Sequence, residues 1–206
     1  MKSNSGPIRF TEPRYCTIEV RPRLWCGLRR HLFASDHERL AYLLGTAVEK
    51  PALDERAAVA IRIKSVLLLP DAAFAVQTPH QVEVDPTISR AVLRACYEYG
   101  LSLVDAHSHP ADPGPPRLSA HDRENALRTH REFLSVIPAQ PPVFAGSLVV
   151  ARHGIDGTWL DPVVGRLAPL RVTADDTETG GRTKPAAPRQ RSRRTPARCS
   201  DMIGES

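Results

Sequence analysis

Long apolar runs, a secretion signal and paired cysteines are all missing from this sequence. No stretch approaches the about 20 uninterrupted apolar residues of a membrane span, so we expect no membrane association. Residues 1–16 lack the apolar segment of a secretion signal, which favours a cytoplasmic protein. No two of the four cysteines form a CxxC pair, and their spacing indicates neither a zinc ribbon nor a disulfide framework. We therefore expect reduced, structural thiols.

Acidic residues are missing from residues 182–198, and this locates the net charge of the chain. The segment carries seven arginine or lysine residues, and the acids that follow it are Asp201 and Glu205. The 28 basic and 23 acidic residues of the whole chain therefore leave 21 of each in residues 1–181. Because the surplus lies in a tail without aromatic residues for base stacking, the basic balance does not predict that the folded part binds nucleic acid.

Between residues 20 and 168 the apolar residues recur with the periods of helices and strands. Helices are predicted to begin at Pro22, Pro86 and Ser119, where proline or a capping side chain stands at the start of a periodic segment. Strands are predicted at residues 38–45, 59–69, 74–77, 101–106, 144–151 and 158–160, with a charged loop at 46–56. This order predicts an α/β or α+β domain, in which a mixed sheet carries helices on its faces.

The chain divides into three parts by composition. Residues 1–19 are expected to form an N-terminal extension, and residues 20–168 a single domain. Apolar periodicity fades near residue 171, and arginine and proline dominate from there on. We therefore predict that residues 169–206 form a disordered tail.

Two histidines stand two positions apart at the end of an apolar segment, in Val104-Asp-Ala-His-Ser-His109. Residues i and i+2 of a strand project from the same face, so the imidazoles of His107 and His109 can point at one ion. Asp122 is the natural third ligand, because the first turn of the next helix faces back towards the strand end. Two imidazoles and one carboxylate leave a tetrahedral position open, which is typical of a catalytic zinc site.

These residues also have a structural interpretation. Ser119 and Asp122 have the spacing of a capping box, with Asp in place of the usual Glu. A His-Pro pair such as His109-Pro110 is an ordinary exit from a strand. His121 precedes Asp122 by one position on the predicted helix and points about 100° away from it, so we interpret His121 as a bystander.

The combination of His107-Ser-His-Pro110, a short loop and Ser119-x-x-Asp122 resembles the signature of the JAMM (MPN+) zinc metalloproteases. That family also carries a glutamate on an early strand, and the segment Glu38-Arg-Leu-Ala-Tyr-Leu-Leu-Gly45 is similar to its setting. The resemblance covers about residues 20–165. The loop after His109 has nine residues, where the family usually has seven, and we expect it to accommodate the insertion.

The resemblance implies a fold and a role for each residue. The implied fold is a single JAB/MPN domain of the α/β (α+β) class, a mixed sheet flanked by helices in a layout like that of cytidine deaminases. His107, His109 and Asp122 would hold one zinc ion. Glu38 would act as general base and then as general acid. Ser119 would donate a hydrogen bond to the oxyanion.

The implied reaction is hydrolysis of an isopeptide or peptide bond. The expected substrate is the C-terminus of a ubiquitin-like or sulfur-carrier protein, with an E1-like activating enzyme as a further partner. The alternative is a catalytically inactive MPN-type scaffold that binds a partner protein. A third class, a nucleic-acid-binding protein driven by the basic tail, is disfavoured because such tails bind phosphates without sequence preference.

Overall fold

Seven strands close into a barrel, and two more form a separate hairpin. The computed structural model describes residues 15–53, 56–111, 114–137 and 142–174, and these ranges contain nine strands and three α-helices. The strands are β1 (Tyr15–Val20), β2 (Leu40–Leu53), β3 (Arg56–Leu68), β4 (Phe74–Thr78), β5 (Gln81–Val84), β6 (Ser102–Ser108), β7 (Ala145–Ala151), β8 (Gly154–Asp161) and β9 (Arg166–Ala174). The helices are α1 (Pro22–Leu32), α2 (Pro86–Tyr99) and α3 (Ala120–Val136).

The barrel follows the strand order β1-β3-β2-β6-β7-β8-β9 and closes where β9 pairs with β1. The pairs β1–β3, β1–β9 and β6–β7 are parallel, and the other neighbours are antiparallel. The separate hairpin consists of β4 and β5. The connection between the parallel strands β6 and β7 contains α3, as parallel neighbours require a long crossover.

The predicted fold class is wrong. An α/β JAB/MPN domain with a mixed sheet flanked by helices was expected, but the structure is mostly sheet, with a closed seven-stranded barrel and only three helices in its described part. The barrel closes through β1 and β9, which the sequence did not predict as strands. Closure pairs Cys16 with Leu170 at opposite ends of the described chain. No local pattern of apolar residues reports a pairing over that distance.

The three predicted helices are confirmed. The carboxylate of Asp85 caps α2 by accepting a hydrogen bond from the backbone N–H of Thr87 at 2.7 Å, and Gly100 ends the helix with φ of 59°. The apolar spacing of Ile88, Val92, Ala95 and Tyr99 predicts that these residues form the buried face of α2, but Tyr99 is 73% exposed, whereas Val92 and Cys96 are buried. Helical spacing alone does not show how a helix is rotated about its axis.

The charged loop predicted at residues 46–56 is wrong, because β2 continues to Leu53 and β3 begins at Arg56. The register of the β2–β3 pair shifts between Lys50 and Leu53, and Pro51 lies at that irregularity. Proline lacks the N–H of a regular ladder and is tolerated at such bulges. The pairing of β3 with β1 extends the sheet along this hairpin.

The predicted boundaries at 19/20 and 168/169 fall inside β1 and β9. The remainder of the predicted extension, residues 1–14, and of the predicted tail, residues 175–206, lies outside the described residues. Within the described ranges no helix has the length and apolar character needed to cross a membrane.

The expectation of four reduced thiols is only partly met. Cys16 and Cys96 are buried, reduced thiols. Cys26 is disulfide-bonded, so the expectation is wrong for that residue.

Alternate residues of the central strands belong to two apolar clusters. On β6, Val104 and Ala106 join the buried cluster built with α1, which includes Ile18, Leu28, Leu43, Ile61, Leu148 and Trp159. The opposite face packs on a second cluster that contains Val92 of α2 and Phe133 of α3. Since His107 follows Ala106, it lies on this second face, between the sheet and its two helices.

Gly45 lies where the backbones of β2 and β3 approach each other too closely for a side chain. A Cβ atom built there would lie 2.5 Å from the carbonyl oxygen of Arg62, next to a register shift of the ladder. We predict that Gly45→Ala lowers the free energy of unfolding by about 1–3 kcal/mol, the typical cost of overpacking. Gly27→Ala is the control, since nothing lies within 4 Å of its built Cβ. The free energy of unfolding of both variants is measured by urea titration, and Gly27→Ala should keep or slightly raise it. Equal effects of the two substitutions would contradict the steric argument.

Candidate metal centre

His107 and His109 project from the same side of β6 and its continuation. His107 pairs with Val149 of β7, and the backbone N–H of His109 donates to the carbonyl of Val150 at 3.1 Å, which extends the ladder beyond the last strand residue. The two imidazole rings have a centroid distance of 5.1 Å. The predicted same-face arrangement is therefore present.

Asp122 caps α3 and faces the histidines with the same carboxylate. Its Oδ2 accepts a hydrogen bond from the backbone N–H of Ser119 at 2.8 Å, while its own N–H donates to Ser119 Oγ at 3.1 Å. This is the predicted capping box. The other oxygen, Oδ1, lies 3.8 Å from His107 Nε2. The capping role and the position beside the histidines therefore coexist.

His107, His109 and Asp122 form one compact group of metal-type donors. One ligand atom from each residue lies within 4.8 Å of the others. Two imidazole nitrogens and a carboxylate oxygen suit zinc, and three protein donors leave a fourth tetrahedral position for water or substrate. The long loop after His109 still returns Asp122 to the histidines, so the three predicted donors are brought together.

Glu38 lies beside this donor group. It is only 7% exposed, and its Oε1 lies 3.6 Å from His109 Nε2. The backbone N–H of Glu38 donates to the carbonyl of Thr78 at 2.8 Å, and its carbonyl accepts from Gln77 Nε2 at 3.2 Å. Glu38 thus stands two residues before β2, held by the β4–β5 hairpin, rather than on the strand itself as predicted.

Ser108 ties the segment with Glu38 to the strand with the histidines. Its Oγ accepts from the backbone N–H of Arg39 at 3.0 Å, and its N–H donates to the carbonyl of Arg39 at 2.9 Å. Because Ser108 lies between the two histidines and faces the other side of the strand, the sequence predicts only a packing role for it. A polar side chain on the buried face of an apolar strand was the available signal for a hydrogen-bonding role.

The two carboxylates of the site are driven towards opposite protonation states. Burial, with a smaller effect of the negative charge on Asp122, raises the pKa of Glu38 to about 7. Burial also acts to raise the pKa of Asp122. The hydrogen bonds from Ser119 and the electrostatic effect of the two nearby histidines outweigh burial, so the pKa of Asp122 is lowered. Burial lowers the pKa of His107, which favours the neutral imidazole that a metal requires. Asp122 is thereby suited to a ligand and Glu38 to proton transfer.

Ser119 lies at the rim of the group. A cavity of about 400 Å³ is lined by Ser119, Asp122, His109 and Glu38, together with Pro79, His80, Ala111 and His121. Ser119 Oγ accepts a hydrogen bond from the backbone N–H of Asp122. Its hydroxyl proton can therefore be donated to a ligand in this cavity. His121 shares the cavity but is not part of the donor group, as the helical geometry predicted.

Comparisons with known proteins do not assign a family. No family model matches the chain, and no curated protein matches it. Among solved structures it is similar to the solution structure of protein DSY2949 from Desulfitobacterium hafniense, with 15% identity, a TM-score of 0.46 and coverage of 82% of this chain and 99% of that one. It is also similar to the solution structure of a protein from Salinibacter ruber, with 20% identity, a TM-score of 0.39 and coverage of 78% and 92%.

The raised pKa of Glu38 predicts how the stability of the metal-free protein depends on pH. Folded Glu38 binds its proton more tightly than the unfolded chain does, so its contribution to stability is lost as the pH rises through about 7. Glu38→Gln removes the ionisation. In chelator-treated protein the variant should gain at least about 2 °C in Tm over the parent at pH 8, and little or nothing at pH 5.

Glu124→Gln is the matched control, because Glu124 is an exposed residue of the same site-bearing helix α3. It should shift the Tm by similar amounts at the two pH values. A Glu38→Gln effect that is equal at pH 5 and pH 8 would contradict the assigned ionisation.

Proposed function

We propose that this chain is a zinc-dependent hydrolase of an amide bond. The observation that carries the proposal is the grouping of His107, His109 and Asp122 donor atoms within 4.8 Å, with the buried Glu38 at 3.6 Å from His109. A structural metal site would use four protein ligands and has no need of a buried proton acceptor at its open side. An exposed wall with the Ser119 hydroxyl further favours a site that admits a substrate.

Zinc bound to the three donors would supply a Lewis acid and an acidified water at neutral pH. The residues of the chain would divide the remaining work. Glu38 would accept a proton from the attacking water and later deliver it to the nitrogen of the leaving amine, since its pKa near neutrality suits both transfers. Ser108 would keep Glu38 in place through the paired hydrogen bonds with Arg39.

Ser119 would stabilise the negative charge that develops on the carbonyl oxygen of the substrate. Its hydroxyl is oriented by the bond it accepts from the N–H of Asp122, so little freedom is lost when it donates to the substrate. The capping box thus supports both a ligand carboxylate and a hydrogen-bond donor.

The substrate class comes from the resemblance of the His-Ser-His-Pro and Ser-x-x-Asp segments to the JAMM signature, since the barrel itself does not favour that family. We propose the C-terminus of a ubiquitin-like or sulfur-carrier protein, joined by a peptide or isopeptide bond, with an E1-like enzyme as a further partner and the cytoplasm as the location. The acidic residues near the donor group fit a substrate whose residues next to the scissile bond are basic or neutral.

Zinc binding is the first prediction of this proposal. The chelator-treated protein should take up one zinc ion per chain, measured by a competing chromophoric chelator. His109→Ala and Asp122→Asn should weaken zinc binding by at least about 100-fold, more than the loss of an outer partner usually costs. His121→Ala is the matched control, because His121 lines the same cavity outside the donor group, and it should bind zinc like the parent. If the correctly folded parent takes up no zinc, the hydrolase proposal is refuted and the protein-binding scaffold is the alternative that remains.

Cleavage is the second prediction. The zinc-loaded protein should release a C-terminal extension from ubiquitin-like or sulfur-carrier proteins, followed by mass spectrometry. Glu38→Ala should keep zinc and lose cleavage, and Ser119→Ala should reduce kcat by roughly 100- to 1000-fold, as loss of one oxyanion donor does. Since Ser119→Ala also removes a helix cap worth about 1 kcal/mol, its Tm must be measured alongside. Parental rates in Glu38→Ala would refute the assigned base.

A further inference from the structure

A second polar cluster lies behind the donor group, on the same face of the sheet. Asp105 of β6 pairs across the ladder with Ser147 of β7, and Ser147 Oγ donates to Asp105 Oδ2 at 2.7 Å. His130 of α3 completes the cluster, with its Nε2 2.9 Å from Ser147 Oγ. Ser147 and His130 are buried, whereas the Asp105 side chain keeps 26% exposure. No sequence motif marks Asp105, Ser147 or His130 as a group.

The hydrogen bonds of this cluster run in one direction. Ser147 has a single hydroxyl proton and gives it to Asp105, so it must accept from His130 Nε2–H. This places a chain of donors behind the carboxylate and stabilises its negative charge. Within the described residues His130 Nδ1 has no hydrogen-bond partner, and its Nε2 lies 3.9 Å from Asp105 Oδ2.

The cluster lines a cavity of about 610 Å³ that also contains Glu38, His107 and Asp122. Besides Glu38, whose pKa is raised, four carboxylates line this cavity, from Glu83, Asp105, Asp122 and Glu132, against the single guanidinium of Arg128. Arg128 is already engaged by Glu132 at 3.4 Å and by Asn125 Oδ1 at 2.6 Å. The cavity is therefore negative, and focuses that charge between low-dielectric walls.

Part of the wall of this cavity is aliphatic. It is formed by Leu40, Val82, Val84, Val92, Leu93 and Leu103. A half-buried carboxylate in a cavity with apolar walls matches a ligand with an apolar stem and a positive end, because the stem then contacts the apolar walls and the positive end contacts the carboxylate. A neutral or acidic ligand would cover the part of Asp105 that water reaches and would bring no positive charge to it.

We propose that this cavity binds a basic side chain of the substrate, with the ammonium or guanidinium group on Asp105 and the aliphatic stem along the apolar walls. The assignment of the ligand as part of a substrate rests on the proposed function. Asp105 and His107 are two strand residues apart, roughly 6.6 Å along β6. A lysine that adjoins a scissile peptide bond at the donor group can span that distance with its four-carbon stem, whereas a lysine whose Nζ is acylated in an isopeptide bond carries no charge for this site.

The test measures binding without cleavage. Chelator-treated protein is titrated with Nα-acetyl-lysine methylamide and with Nα-acetyl-norleucine methylamide, which has the same four-carbon stem without the ammonium group, and binding is followed by NMR chemical shifts. The lysine amide should bind at least about tenfold more tightly, and added salt should reduce the difference. Equal affinities of the two amides in the parent protein would overturn the proposal, whatever the variants do.

Asp105→Asn removes the charge while keeping the shape of the side chain, and it should abolish the preference for lysine. Glu98→Gln is the matched control, since it removes a carboxylate of α2 that does not line the cavity, and it should preserve the preference. Circular dichroism and Tm establish that both variants are folded. A folded Asp105→Asn that still prefers lysine by the parental factor would refute the assigned contact.

The outcome separates this inference from the proposed hydrolase. Lysine preference in a protein that neither binds zinc nor cleaves would leave the cation site standing and remove the hydrolase. Zinc binding and cleavage without any preference for the lysine amide would remove the cation site and leave the hydrolase.

Discussion

The parallel pairing of β6 with β7 is the constraint on which the candidate site depends. A parallel neighbour cannot be reached by a tight turn, so the chain must leave the end of β6, cross the sheet and return. The crossover contains α3, and its first turn lies beside the residues at the end of β6. His107 and Asp122 are thereby brought within 3.8 Å, although a long loop separates them. The donor group and the cluster of Asp105, Ser147 and His130 then lie next to each other beside α3.

One carboxylate serves the stability of α3 and the chemistry proposed for the site. Asp122 uses Oδ2 in the capping box and leaves Oδ1 towards His107. The structural and functional interpretations of this residue are therefore not competitors. Hydrogen bonds keep its pKa low, while burial raises that of Glu38, so two similar side chains acquire different chemical roles from their surroundings.

The motif and the fold lead to different conclusions about family. The His-Ser-His-Pro and Ser-x-x-Asp segments resemble a zinc protease signature, whereas the closed barrel does not match the helix-flanked sheet that the resemblance implied. The site can be judged without the family, because ligand identity, proximity and buried proton acceptors are local properties. The proposed function therefore rests on the donor group and its neighbours, and only the proposed substrate class rests on the resemblance.

The sequence by itself determined the local elements and the membership of the donor group. Helix starts at Pro22, Pro86 and Ser119 depend on contacts within a few residues, so their signals are legible in the chain. The two-residue spacing of His107 and His109 is likewise local. Tertiary structure alone decided the barrel, because β1 and β9 meet through long-range pairing, and it alone joined Asp105, Ser147 and His130. Residues on separate elements reveal their proximity only when strand register and helix rotation are set by packing of the whole core.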